Sequence, residues 1–281
     1  MILIELNAGD LRLLLRPDLG GSVAGLWRAG VPVLRSAADG DIAGPRQSGG
    51  FPLVPYSGRL GQRRFRWAGR DHTTAANFDH SPHSLHGVGW RRAWQVDASG
   101  PDSAQLSLRH QPDDDWPFAF DVRQRFQLSP VGLRLELEAT NRHAEPQPLG
   151  LGWHPYFMRR SRSRLHLEAT HRWDRDELLL PSHRVASTGI DGDVAPMDWD
   201  HPFEGWTGPA RLRDEKLSMR MSSSLDRVVV YTPRERDFYC VEPVSHNPNA
   251  IQADDPATQG LAAVAPGAAV SAWIQLDIAA A

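Results

Sequence analysis

The sequence predicts an all-β fold of sandwich type, and three observations carry that reading. Apolar residues alternate with period two rather than 3.6, the alternating runs are short, and turn-forming residues punctuate them at frequent intervals. The clearest run sets Leu133, Leu135 and Leu137 against Arg134, Glu136 and Glu138, the pattern of a strand with one face buried and the other wet. Similar runs occupy 11–15, 105–109, 122–128, 165–168, 227–231, 238–241 and 270–278. The 24 glycines and 22 prolines leave little room for long helices. Segments 37–48 and 181–202 lack alternation and are rich in Gly, Pro, Asp and Ser, so both are expected as loops able to rim a site. No repeat or low-complexity linker divides the 281 residues, and a single domain over 1–281 is expected.

Composition narrows the function. Hydrophobic residues at 41% and charged residues at 23% are ordinary for a soluble globular chain. A net charge of -3 gives no field to attract nucleic acid or an anionic membrane, so neither partner is expected. The one cysteine, Cys240, excludes an internal disulfide and a cysteine-rich zinc site. The N-terminus has no basic and apolar leader pattern, and no stretch approaches the roughly 18 apolar residues of a membrane helix, so a cytoplasmic protein is expected. Lys216 is the sole lysine, in a charged turn-like run, which sets Schiff-base chemistry aside. The abundant arginines read as a compositional bias, and their clusters are given no special role. The sequence carries no signature of an oligomeric state.

Four stretches are dense in histidine, aromatic and turn residues. In Phe51-Pro52-Leu53-Val54-Pro55-Tyr56-Ser57-Gly58-Arg59-Leu60, prolines and a glycine fix the direction of Arg59, a good donor to hydroxyl oxygens. In His83-Ser84-Leu85-His86-Gly87-Val88-Gly89-Trp90, glycines let the backbone approach a ligand and keep His86 reachable, with Trp90 and Trp94 as packing; spacing alone makes His83 and His86 a poor metal pair. In Gly150-Leu151-Gly152-Trp153-His154-Pro155-Tyr156-Phe157, the proline biases His154 toward extended backbone, and histidine is the best acid near neutral pH. In Phe238-Tyr239-Cys240-Val241-Glu242-Pro243-Val244-Ser245-His246, a carboxylate ends an apolar strand, where apolar surroundings raise its pKa and suit it to base catalysis.

Taken in this order, PLVPYSGRL, HSLHGVGW, GWHPYF and CVEPVSHNPNA resemble the aldose 1-epimerase (mutarotase) family, and with the terminal VAPGAAVSAWIQLDI the resemblance spans nearly the whole chain. It implies a large antiparallel β-sandwich of the galactose mutarotase-like supersandwich type whose open face binds a monosaccharide, and an isomerase that interconverts anomers without cofactor or metal. By matching position, the resemblance implies that Glu242 is the base for the C1 hydroxyl and His154 the acid for the ring oxygen. It assigns His86 to the ring oxygen or a neighbouring hydroxyl, and Arg59 to sugar hydroxyls. A further carboxylate contact to the sugar falls on Asp200, preferred over Asp198 from the spacing to Phe203 and Gly205-Trp206.

One departure is clear: Gly58 stands where the family commonly has asparagine, which removes a side-chain amide and bears on sugar preference. Rival readings are a hexose-6-phosphate mutarotase, which needs extra basic contacts, a glycoside hydrolase using Glu242 with Asp200, and a non-catalytic carbohydrate-binding protein of the same fold. The two histidine stretches fit the hydrolase poorly.

Overall fold

The computed structural model describes residues 1–78 and 80–281. Its framework is two antiparallel sheets, one of eleven strands and one of nine, laid face to face. The cleft-bearing sheet runs, edge to edge, Ile4–Ala8, Leu11–Arg16, Ser22–Arg28, Gly50–Leu53, Gly152–Met158, Phe238–Val244, Arg227–Tyr231, Asp200–Glu204, His171–Arg175 and Pro181–Ala186, with Val31–Pro32 beside Ser22–Arg28. The back sheet runs Gln95–Ser99, Ser103–His110, Phe120–Ser129, Gly132–Asn141, Ala269–Ala280, Leu217–Ser223, Thr207–Arg213, Arg164–Glu168 and Ile190–Asp193. Among the described residues helical structure is confined to short 3-10 turns, and no helix is long and apolar enough to cross a membrane.

Alternation drives the pairing. Leu133, Leu135 and Leu137 of Gly132–Asn141 point inward opposite Leu128, Phe126 and Gln124, while Glu136 and Glu138 point outward opposite Arg125 and Arg123. On the other side Leu135 and Leu133 face Ile274 and Leu276. The cleft-bearing sheet answers with Leu13, Leu15, Leu26, Trp153, Phe157, Tyr239 and Val241, and these join the back sheet's inward residues in one continuous core. Register is firm because a slip of one residue would turn each leucine to water and each charge to the core.

All eight runs expected as strands lie within strands. Segment 37–48 is irregular apart from the 3-10 turn Pro45–Gln47, but 181–202 is not the continuous loop expected: it contains Pro181–Ala186, Ile190–Asp193 and the start of Asp200–Glu204. Pro181–Ala186 and Ile190–Asp193 are edge strands, and most of their side chains stay wet on both faces, so no apolar alternation marks them.

The alternation makes a paired prediction. Leu135→Ala should lower unfolding free energy by about 2–5 kcal/mol, whereas Glu136→Ala on the same strand should change it by no more than about 0.5 kcal/mol. Urea unfolding midpoints of both variants check it; equal losses would contradict the inward and outward assignment.

Candidate active site

The centre of the cleft-bearing sheet is made by two strands that each carry a proline in mid-course. Gly152 pairs with Val244 and Tyr156 with Cys240, which sets His154 opposite Glu242. Pro155 and Pro243 lack the N–H that a continuous ladder needs. Period two then sorts the side chains: Trp153, Phe157, Tyr239 and Val241 enter the sandwich core, while His154, Tyr156, Phe238, Cys240 and Glu242 face the other way. The next strand continues the rows, with Val229 beside Glu242 and Tyr231 beside Cys240, and beyond it Asp200 pairs with Tyr231. Sheet register thus gathers groups separated by scores of residues in the chain.

These side chains floor a cleft of about 280 Å³ lined by, among others, Arg59, His86, His154, Arg175, Asp200 and Glu242. His154 Nε2 lies 3.4 Å from Glu242 Oε1, and both side chains are under 10% exposed. Burial pushes the Glu242 carboxyl well above its ordinary value, Asp200 adds to that, and Arg175 and Arg59 oppose it. Burial likewise holds the His154 imidazole down at about 3, with the Arg35 and Arg46 charges acting in the same sense. Both shifts favour the uncharged form of each partner. The imidazole is held by stacking: Tyr156 lies on it at 4.6 Å between ring centroids and Phe51 at 4.8 Å. Trp90 extends the stack beyond Phe51, and the Arg35 guanidinium covers Tyr156 at 4.0 Å.

Loops supply the walls. The ladder Arg59–Leu60 against Ser84–Leu85 carries Arg59 and His86 to the cleft together. The His86 N–H donates to the Gly58 carbonyl at 2.9 Å, and the Gly58 N–H donates to His86 Nδ1 at 3.0 Å. With Nδ1 accepting, the neutral ring carries its hydrogen on Nε2. Burial, then His154, Arg59 and Arg175, hold His86 well below its ordinary pKa, so it is this neutral donor that the cleft presents. His86 has φ +61°, and Gly87 after it has φ +67° with a carbonyl, that of Val54, 2.4 Å from where a Cβ would stand. Gly58 has φ +70°, and a Cβ there would lie 2.5 Å from Pro248. The place of the expected asparagine is thus taken by the Pro248 wall.

That wall is tied down from behind. Ser57 N–H donates to His246 Nε2 at 3.2 Å, His246 Nδ1 meets Ser245 Oγ at 3.0 Å, and Gly61 N–H donates to Asn249 Oδ1 at 2.9 Å. Buried Glu204 accepts from Trp173 Nε1 at 2.8 Å, Arg184 Nε at 2.6 Å and the Asn247 amide. Three donors keep its pKa low despite its burial. His83 is structural: its Nδ1 accepts from Gln62 N–H and its Nε2 faces the Leu178 carbonyl.

Glu242, His154, Arg59, His86 and Asp200 all come together in this one cleft, whereas Asp198 stays exposed near Arg234. Arginine clusters are not without place here. Arg175, whose side chain is 7% exposed, lines the cleft and binds Asp200, which Arg59 approaches at 3.5 Å on the same oxygen. Sequence reasoning missed it because its run, Arg172-Trp173-Asp174-Arg175-Asp176, has no distinguishing pattern; what places it is the register of His171–Arg175 against Asp200–Glu204. Arg46, stacked on Phe78 at 4.6 Å, also lines the cleft and was likewise missed.

A buried histidine–glutamate pair, an arginine-held carboxylate and a donor histidine thus share one polar cleft in the open face of the sandwich. The family model described as Aldose 1-epimerase matches residues 3–277, and the chain belongs to the aldose 1-epimerase family. It is 30% identical over 295 residues to the uncharacterised Escherichia coli K12 protein YphB, covering 99% of each. Among solved structures it is similar to one from Escherichia coli K12 bearing a provisional aldose 1-epimerase assignment, at 28% identity, a TM-score of 0.90 and coverage of 100% and 99%. A galactose mutarotase-like protein from Clostridium acetobutylicum, at 20% identity, a TM-score of 0.85 and coverage of 99% and 95%, shares the fold.

The tie behind the wall predicts an acid weakness. His246 is buried with its pKa lowered to about 3 from an ordinary 6.5 by desolvation. The unfolded chain therefore takes up a proton that the folded one refuses, and stability present above about pH 6.5 is lost progressively as pH falls toward 3. His246→Gln removes this proton uptake, so its melting temperature should fall less between pH 7 and pH 4 than that of the parent. Parallel slopes in a thermal melt series would assign the acid sensitivity elsewhere.

Proposed function

We propose that the protein is a cofactor-independent isomerase, an aldose 1-epimerase that interconverts the α and β anomers of a free monosaccharide by opening and reclosing its ring. The observation that carries this reading is the His154–Glu242 pair, buried together at 3.4 Å on the floor of the cleft. Opening a hemiacetal ring requires one proton to leave the C1 hydroxyl and one to reach the ring oxygen. The pair holds the single proton this needs. Moved from Glu242 to His154, it leaves a carboxylate base and an imidazolium acid. That shift is favoured by Arg175 and Arg59, which stabilise the carboxylate.

In this scheme Glu242 takes the C1 hydroxyl proton while His154 protonates the ring oxygen. His86 Nε2–H donates to the ring oxygen or an adjacent hydroxyl, and Arg59 and Asp200 hold hydroxyls on the far side. Rotation about the C1–C2 bond presents the other face of the aldehyde, and the same two groups run the steps backward. Arg46 at the cleft supports a second reading, a 6-phosphorylated aldose, whose anion would need such a cation.

The test is anomer interconversion by NMR exchange or polarimetry with freshly dissolved α-glucose, α-galactose and their 6-phosphates. Acceleration is expected for at least one, falling about 10²–10⁴-fold in Glu242→Gln with sugar binding retained. Binding without acceleration of any sugar would instead favour a carbohydrate-binding protein.

The same pair sets the pH profile. Because burial raises the Glu242 pKa and lowers that of His154 to about 3, the one-proton state of the pair should span a wider pH range than free side chains would give it, and kcat/KM should hold over that range. It should fall on the alkaline side once the pair loses its proton, at a pKa well above 4.5, and on the acid side only toward 3. A profile falling with an ordinary carboxylate pKa would contradict the one-proton pair.

A further inference from the structure

Cys240 plays no part in the scheme above, yet it lies under the acid/base pair on the same face of the same strand as Glu242. One donor atom each from His154, Cys240 and Glu242 lies within 4.8 Å of the others, and all three residues are buried. We propose that these three residues form a site for a thiophilic divalent cation, zinc or cadmium, and that filling it silences the cleft. The binding stands on this cluster alone, whereas the silencing rests on the proposed epimerase activity.

Three protein donors of the types N, S and O match the ligand count of zinc sites that keep an exchangeable fourth ligand. Bonds of about 2.0–2.3 Å to a tetrahedral zinc put ligand atoms about 3.3–3.8 Å apart. His154 Nε2 and Glu242 Oε1, at 3.4 Å, are already at that spacing, and the widest separation has to close by about 1 Å. A thiol with an imidazole selects zinc or cadmium over magnesium or calcium, which prefer all-oxygen shells.

The exchange balances without redox change. The hydrated cation sheds waters, the Cys240 thiol and the Glu242 carboxyl each release one proton, and the neutral His154 imidazole donates a lone pair. Occupation takes the lone pairs that the acid/base pair would use on a sugar. Affinity should therefore weaken as pH falls and protons compete for the same atoms.

The experiment uses the whole chain, as purified and after EDTA treatment, with Co2+ as spectroscopic probe and Zn2+ as inhibitor. One equivalent of Co2+ should produce the ultraviolet charge-transfer band of a cobalt-bound thiolate, and Zn2+ should abolish the band by displacement. Cys240→Ala and Cys240→Ser, each with its melting temperature recorded, should lack the band. In either variant the Zn2+ concentration that half-inhibits anomer exchange should rise at least about 10-fold, the least that even an outer partner of a metal is worth. No band in the parent protein overturns the site. Equal inhibition of parent and variants overturns the role of Cys240. Should no sugar be accelerated at all, the band still decides the site by itself, and the epimerase reading fails separately.

Discussion

Glu242 and His154 sit where neither can be solvated as an ion, and the surrounding structure answers to that constraint. A lone buried carboxylate would simply stay protonated and a lone buried imidazole neutral. Placed against one another across two strands, each is pushed toward its uncharged form, the carboxyl up and the imidazole down to about 3. The rest of the floor modulates this: Asp200 disfavours a second negative charge, Arg175 and Arg59 favour it, and Tyr156 and Phe51 pack against the imidazole ring. Asp200 in turn pairs with both arginines and so offsets two cations that bear on His86.

The walls extend this logic through backbone chemistry. His86 is oriented by two hydrogen bonds to one residue, Gly58, and Gly58 can offer both because it has no side chain between itself and Pro248. The glycine at this position is therefore part of how His86 is held. Glu204 anchors the Pro248 loop as a buried charge that accepts from three donors.

Much of this was legible in the sequence where local pattern dictates structure. Alternating leucines gave the strands of the back sheet, Pro155 gave the extended backbone at His154, and the four dense stretches delivered residues that share one cleft. What escaped had no local cause. The strands within 181–202 are wet on both faces, and Arg175 owes its place to pairing with a strand 25 residues away. Nor does any run of residues announce that Cys240 lies close to both Glu242 and His154, because that follows from the register of two neighbouring strands.

The strand Phe238–Val244 is inserted between Gly152–Met158 and Arg227–Tyr231, with chain already laid down on both sides of it. During synthesis one edge of Gly152–Met158 therefore waits unpaired until Phe238–Val244 follows Arg227–Tyr231 as the second arm of a hairpin and closes on it. The cleft is thus among the last features of the molecule to exist, and a nascent chain stalled before that point carries an arginine loop and two histidines with no base to serve them.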